Sequence, residues 1–130
     1  MSKINILIVE PDLTLGKTYK DFFDQRDFEV IVCVDGQGAI DTIDKKQPDL
    51  IILEIQLAAH NGYEFLYELR SYAEWFAIPV IINSFVPLSR TNLNTNSLNN
   101  LGIVSYNYKP NTSLEKLYND SLNNIPIQRI

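Results

Sequence analysis

The sequence predicts a single α/β domain in which helices cover both faces of a parallel sheet. Three observations support this. Short aliphatic runs and helix-period stretches take strict turns along the chain. The connections are short, so each strand-to-strand passage is a right-handed crossover that lays its helix on the sheet, which is the doubly wound class. The length of 130 residues suffices for one buried core and is too small for two. The domain is expected to span residues 1–124, with 125–130 as a short C-terminal tail lacking any period.

Ile4 to Val9 is a nearly continuous aliphatic run, the pattern of a strand buried on both faces. From Leu13 to Arg26 the apolar Leu15, Tyr19, Phe22 and Phe23 recur at helical spacing, and Asp12 stands where an N-cap belongs. The alternation continues with a strand over Glu29–Val34, a helix over Gly38–Lys46 and a strand over Asp49–Leu53. A helix over Tyr63–Trp75 and a strand over Val80–Ile82 follow. The helix due over Thr91–Leu101 contains Asn92, Asn94, Asn96, Asn99 and Asn100, whose side chains compete for main-chain hydrogen bonds, so it is expected to be short or frayed. Ile103–Tyr108 supplies the fifth strand, and Thr112-Ser113-Leu114-Glu115 has capping-box spacing ahead of a helix with Leu117, Tyr118 and Leu122 on one face. In the tail, Ile125, Ile127 and Ile130 either pack back on the domain or add to a partner's sheet edge.

Composition narrows the functions. Apolar residues make up 45% of the chain and charged residues 21%, which is ordinary for a globular protein and excludes wholesale disorder. A formal net charge of −5 repels phosphate backbones, so no nucleic-acid partner is expected. The single cysteine, Cys33, lies in an apolar run and reads as a small buried hydrophobe, with no disulfide framework. With neither a signal-peptide core nor a membrane-length apolar stretch, a cytoplasmic location without a membrane partner is expected. His60 has no second histidine or cysteine near it and reads as a loop surface residue. Trp75 reads as packing at a helix end, and Asn111-Thr112-Ser113, although it fits a glycosylation pattern, reads as the start of the last helix.

In such sheets the functional crevice lies beyond the carboxyl ends of the strands. There the first strand ends in Glu10-Pro11-Asp12, the third in Glu54 and the fourth in Asn83-Ser84, and the fifth runs into Lys109-Pro110. Acids, a hydroxyl and a lysine from four strands converge on one edge. Together with Pro48-Asp49-Leu50-Ile51-Ile52-Leu53-Glu54, Gly62, Ile78-Pro79-Val80-Ile81-Ile82-Asn83-Ser84 and Tyr106-Asn107-Tyr108-Lys109-Pro110, they resemble the response-regulator receiver domain of two-component signalling over nearly the whole chain. The resemblance implies the flavodoxin-like strand order 2-1-3-4-5. It also implies a phosphoryl-accepting position at Glu54, an acidic metal pocket at Glu10 and its neighbours, switch residues Ser84 and Tyr106, and a pocket lysine, Lys109.

Four positions depart from that pattern. Glu54 stands for the accepting aspartate, Pro11 for the second metal acid, Ala58 for a proline and Phe85 for the alanine usual after the hydroxyl. Glutamate carries its carboxylate about 1.5 Å farther out, and a ~1 Å misplacement of a nucleophile costs on the order of 100-fold in rate. Pro11 offers no side-chain ligand. Glu10, Glu54 and the main-chain oxygen of Gln56 would then have to hold Mg²⁺, with Asp12 one residue too far on and better suited to cap the helix, so Mg²⁺ binding is expected to be weak or absent and no other cofactor is implied. The longer carboxylate can instead reach Lys109, a pair with a gross attraction of ~4 kcal/mol at an effective dielectric of 20 before desolvation. Glu54 then either mimics the phosphorylated state or is an inert acid in a dead pocket.

The reading is therefore an atypical, stand-alone pseudo-receiver, not an enzyme, that signals by phosphorylation-independent protein–protein interaction. The resemblance places its docking surface on the fourth helix, fifth strand and fifth helix, with a homodimer through that face as one form. The competing reading is a Mg²⁺-dependent phosphorelay receiver that uses Glu54 as acceptor. A flavin-type phosphate site at the strand ends would need clustered glycines that the loops lack.

Overall fold

The computed structural model describes residues 3–57 and 61–126. Five strands, β1 (Ile4–Val9), β2 (Phe28–Cys33), β3 (Leu50–Leu53), β4 (Val80–Ser84) and β5 (Ile103–Tyr108), alternate with α1 (Leu13–Asp24), α2 (Gly36–Lys45), α3 (Gly62–Ser71), α4 (Thr95–Asn100) and α5 (Leu114–Asn124). The strands form one sheet in the order β2-β1-β3-β4-β5, every pair parallel, as the sequence predicts. Alternate residues of each strand point to opposite faces. Ile6, Ile8, Leu50, Ile52 and Ile81 pack against Tyr19, Phe23 and Leu117 of α1 and α5. Leu7, Val9, Ile51, Leu53 and Ile82 pack against Ile40, Ile43, Phe65, Leu66 and Leu69 of α2 and α3. Among the described residues no helix is long and apolar enough to cross a membrane.

The helix expected over Tyr63–Trp75 is two elements. α3 ends at Ser71, Tyr72 is extended, and Ala73–Trp75 form a short 3-10 turn. Arg70 explains the break, because its guanidinium donates to the carbonyls of Leu101 (2.9 Å), Trp75 (2.9 Å), Phe76 (3.1 Å) and Ile78 (2.7 Å), which a continuous helix would carry past it. Trp75 is buried and packs on Tyr72. α4 is short, as the asparagines imply, and it starts at Thr95, later than expected, because Leu88–Arg90 form a 3-10 turn and Asn94 caps the helix by accepting from Ser97 N. At α5 the cap is Ser113, which accepts from Lys116 N at 3.1 Å, so the capping-box register through Thr112 is corrected by one residue. Thr112 instead donates to the Tyr108 carbonyl. Cys33 is half-buried against Thr42, and Ile125 packs into the α1–α5 layer. Ala58, His60, Ile127 and Ile130 lie outside the described residues.

The turn that follows β3 depends on Gly62, whose amide donates to the Ile55 carbonyl at 2.7 Å. A Cβ at this position would lie 2.7 Å from the Cα of Ile55. Gly62→Ala must push the turn away from the main chain next to Glu54, and we expect it to cost about 1–3 kcal/mol, read as a lower urea midpoint with an unchanged slope.

Candidate functional site

Four side chains meet where the sheet's carboxyl ends splay. Glu10 follows β1, Glu54 follows β3, Ser84 closes β4 and Lys109 follows β5. All four are buried; Glu10 is 2% exposed, Glu54 3% and Lys109 8%. The Lys109 ammonium lies between the two carboxylates, donating to Glu10 Oε1 at 2.6 Å and to Glu54 Oε1 at 2.9 Å. Glu10 Oε2 accepts from the amide of Asp12 at 3.0 Å.

Glu54 is the hub. Its Oε1 accepts from Lys109 and from the Phe85 amide at 3.1 Å, and its Oε2 accepts from the Gln56 amide at 3.0 Å and, through a short bond, from the Ser84 hydroxyl. A carboxylate offers about four lone-pair sites, and all are taken. Burial by itself pushes the Glu54 carboxyl up, but the bonds from Ser84, Gln56, Lys109 and Phe85 overcome it and bring it below the usual value. Burial likewise works against the Lys109 ammonium, and Glu10 and Glu54 more than offset it, so its value is raised.

The pH dependence follows from these directions. The folded Glu54 value lies below 4.5, so its contribution is present above that pH and lost as pH falls through the lower folded value. The folded Lys109 value lies above 10.5, so its contribution is present below that pH and lost as pH rises through the raised value. Glu54 therefore makes the thermal midpoint fall on the acid side, and Glu54→Gln should make that acid limb shallower in a melting series across pH.

The switch positions are engaged. Ser84 Oγ also accepts from the Val86 amide at 3.0 Å, and the half-buried Tyr106 hydroxyl donates to the Val86 carbonyl. Burial, followed by the proximity of Tyr63 and Glu54, raises the Tyr106 phenol to about 12, so it remains a donor at neutral pH. Asp12 is the exception among the expected site residues. It is exposed and its carboxylate caps α1 by accepting from Leu15 N at 3.0 Å, so only its amide reaches the cluster. The position is set by helix geometry, since an N-cap side chain must turn back toward the amide three residues on.

Sequence reasoning missed the Phe85 ring, which lies over the Lys109 ammonium with 4.5 Å to its centroid. In the sequence Phe85 stands out only as a departure from a family pattern. Sequence reasoning also missed the buried Asn83 and Asn107, cross-strand neighbours on β4 and β5 that leave one amide atom each without a hydrogen bond among the described residues.

Of the oxygens the sequence offers to Mg²⁺, those of Glu10 and Glu54 hold the Lys109 ammonium and main-chain amides, and Pro11 supplies no side-chain ligand.

Comparison with known proteins gives a consistent family. The model of the response regulator receiver domain matches residues 6–118. The chain is 30% identical over 123 residues to the probable transcriptional regulator ycf29 of Porphyra purpurea, covering 92% of this chain and 59% of that protein. It is 37% identical over 68 residues to the regulatory protein VanRB of Enterococcus faecalis, covering 52% of this chain and 31% of that protein. Among solved structures, a two-component response regulator from Clostridium difficile superposes with a TM-score of 0.81 at 26% identity, covering 93% of this chain and 94% of that one. The chemotaxis response regulator CheY4 of Vibrio cholerae superposes with a TM-score of 0.80 at 18% identity, covering 95% and 99%.

Proposed function

Because the chain belongs to the response regulator receiver domain family of two-component signalling, we propose that it signals by phosphorylation-independent protein–protein interaction, with Glu54 holding the site in the arrangement that a phosphoryl group sets in the family. The observation that supports this best is the saturation of Glu54, since both of its oxygens accept two hydrogen bonds each. An acceptor carboxylate must present a free lone pair in line with the incoming phosphorus, and here that requires breaking a buried bond first. The engaged Ser84 and Tyr106 fit the same reading, because the family's switch draws the hydroxyl toward the phosphate and turns the aromatic inward. The mimicry is partial. Glutamate supplies one negative charge and two oxygens, where a phosphoryl group brings roughly −1.5 to −2 charges and three oxygens.

On this reading Mg²⁺ binds weakly or not at all, and the output is docking through α4, β5 and α5, where Val104 and Tyr108 of β5 are exposed. A partner protein or a second copy is the occupant. The chain spans 59% of the first relative's length, and that relative is named a transcriptional regulator, so a receiver that governs such a protein fits.

An amide-shift titration with Mg²⁺ followed by a small phosphodonor, with intact mass at the end, tests the proposal. We expect no shift at Glu10, Glu54, Ser84 or Lys109 and no mass change. Shifts spreading from Glu54 to Tyr106 with the gain of one phosphoryl group would show a working phosphorelay receiver instead.

A further inference from the structure

We infer that Phe85 is a side-chain lid on the Lys109 ammonium, a specificity-determining residue that keeps small anionic phosphodonors off the carboxylate–ammonium cluster. The inference rests on the proposed resting state of the cluster, and its starting point is the third proton of Lys109. An ammonium has three N–H donors. Two of them go to Glu10 and Glu54, and among the described residues no further oxygen accepts from Nζ. The Phe85 ring, 4.5 Å away at its centroid, is within cation–π range of the ammonium.

Burial shows which way the ring screens. Lys109 is 8% exposed whereas Phe85 is 52% exposed, so the ring has one face on the ammonium and another in water. The main chain around it is fixed. The Phe85 amide is bound to Glu54 Oε1 at 3.1 Å, and the next amide, of Val86, is bound to Ser84 Oγ at 3.0 Å. Opening therefore needs only rotation of the side chain into solvent, without repacking the core, and it gives up the cation–π contact each time. The face of an aromatic ring carries the negative end of its quadrupole. An anionic phosphodonor approaching Lys109 from this side meets a negative face. The alanine usual at this position in the family would leave the same ammonium open.

Detection of lysine NH3⁺ groups by proton–nitrogen correlation in the full chain tests the lid, with the Lys109 signal identified by its loss in Lys109→Arg. In the native protein the signal should be shifted upfield by the ring and should exchange with water more slowly than that of the exposed Lys17. In Phe85→Ala the ring shift should vanish and exchange should rise about tenfold, the factor that matches a cation–π contact of intermediate strength. Phe85→Trp should restore both. A native Lys109 signal that exchanges as fast as Lys17 would overturn the lid without any variant, and so would Phe85→Ala with unchanged exchange. Neither result depends on phosphorylation. A phosphoryl mass gain in the native protein would overturn the functional proposal, while the exchange rates would still decide the role of Phe85 on their own.

Discussion

Lys109→Met is expected to cost about 3–5 kcal/mol, because removing one partner of a buried ion pair leaves an uncompensated charge in a low dielectric. Here two carboxylates, Glu10 and Glu54, lose the same ammonium. Against a typical domain stability of about 5–15 kcal/mol, the variant should be marginally folded at neutral pH. Urea unfolding followed by circular dichroism reads this as a large fall in midpoint. The acid limb should also become shallower. Without the ammonium one of the bonds that hold the Glu54 carboxyl down is gone, while those from Ser84, Gln56 and Phe85 remain, so less of its stabilisation is left to lose as pH falls. Adding Glu54→Leu should recover part of the loss, since replacing buried charges together is often neutral or stabilising whereas removing one partner is not. If Lys109→Met unfolds at the native midpoint, the cluster is wetter than its burial indicates.

The alternation of strands and helices was legible in the sequence because a strand buried on both faces must be aliphatic throughout, as in Ile6–Val9 and Leu50–Leu53. The convergence of Glu10, Glu54, Ser84 and Lys109 was legible for a related reason, since each directly follows or closes a strand whose end is marked by the last apolar residue. Other features depend on the path of the chain in three dimensions. Arg70 is bound to the Leu101 carbonyl, 31 residues away, and no local pattern announces that a helix must stop so that one guanidinium can collect four carbonyls. The cap of α5 fell one residue from its expected place because Thr112 found an acceptor at Tyr108, and a hydroxyl so engaged leaves capping to Ser113. Asp12 could serve the pocket or the helix by spacing alone, and the direction of its side chain decided for the helix. The ring of Phe85 reads as an ordinary exposed aromatic until Lys109 is placed beneath it.

The length of one side chain links these features. Glu54 reaches Lys109, Ser84 and two amides at once, and an aspartate, about 1.5 Å shorter, would leave a gap between its oxygens and at least some of those donors. A phosphoryl group on an aspartate fills such a gap. The glutamate closes it with its own chain.

Pro11→Asp combined with Glu54→Asp is therefore expected to convert the site into one that accepts phosphate from a small donor in the presence of Mg²⁺, read as the gain of one phosphoryl group in intact mass and abolished by a chelator. Each change alone should fall short for a different reason. Glu54→Asp frees lone pairs and moves the nucleophile back by about 1.5 Å, a displacement that can be worth on the order of 100-fold, but only Glu10 and the shortened carboxylate then remain to hold the metal. Pro11→Asp adds the missing ligand and leaves Glu54 saturated by its four donors. The double variant satisfies both needs, as Mg²⁺ is commonly held by one or two carboxylates with waters and substrate phosphate completing its octahedron. Phe85→Ala added to the double variant should speed the reaction further, since the donor then reaches Lys109 without waiting for the ring to turn. If the double variant binds Mg²⁺ yet stays unphosphorylated, saturation of Glu54 is not what silences the site.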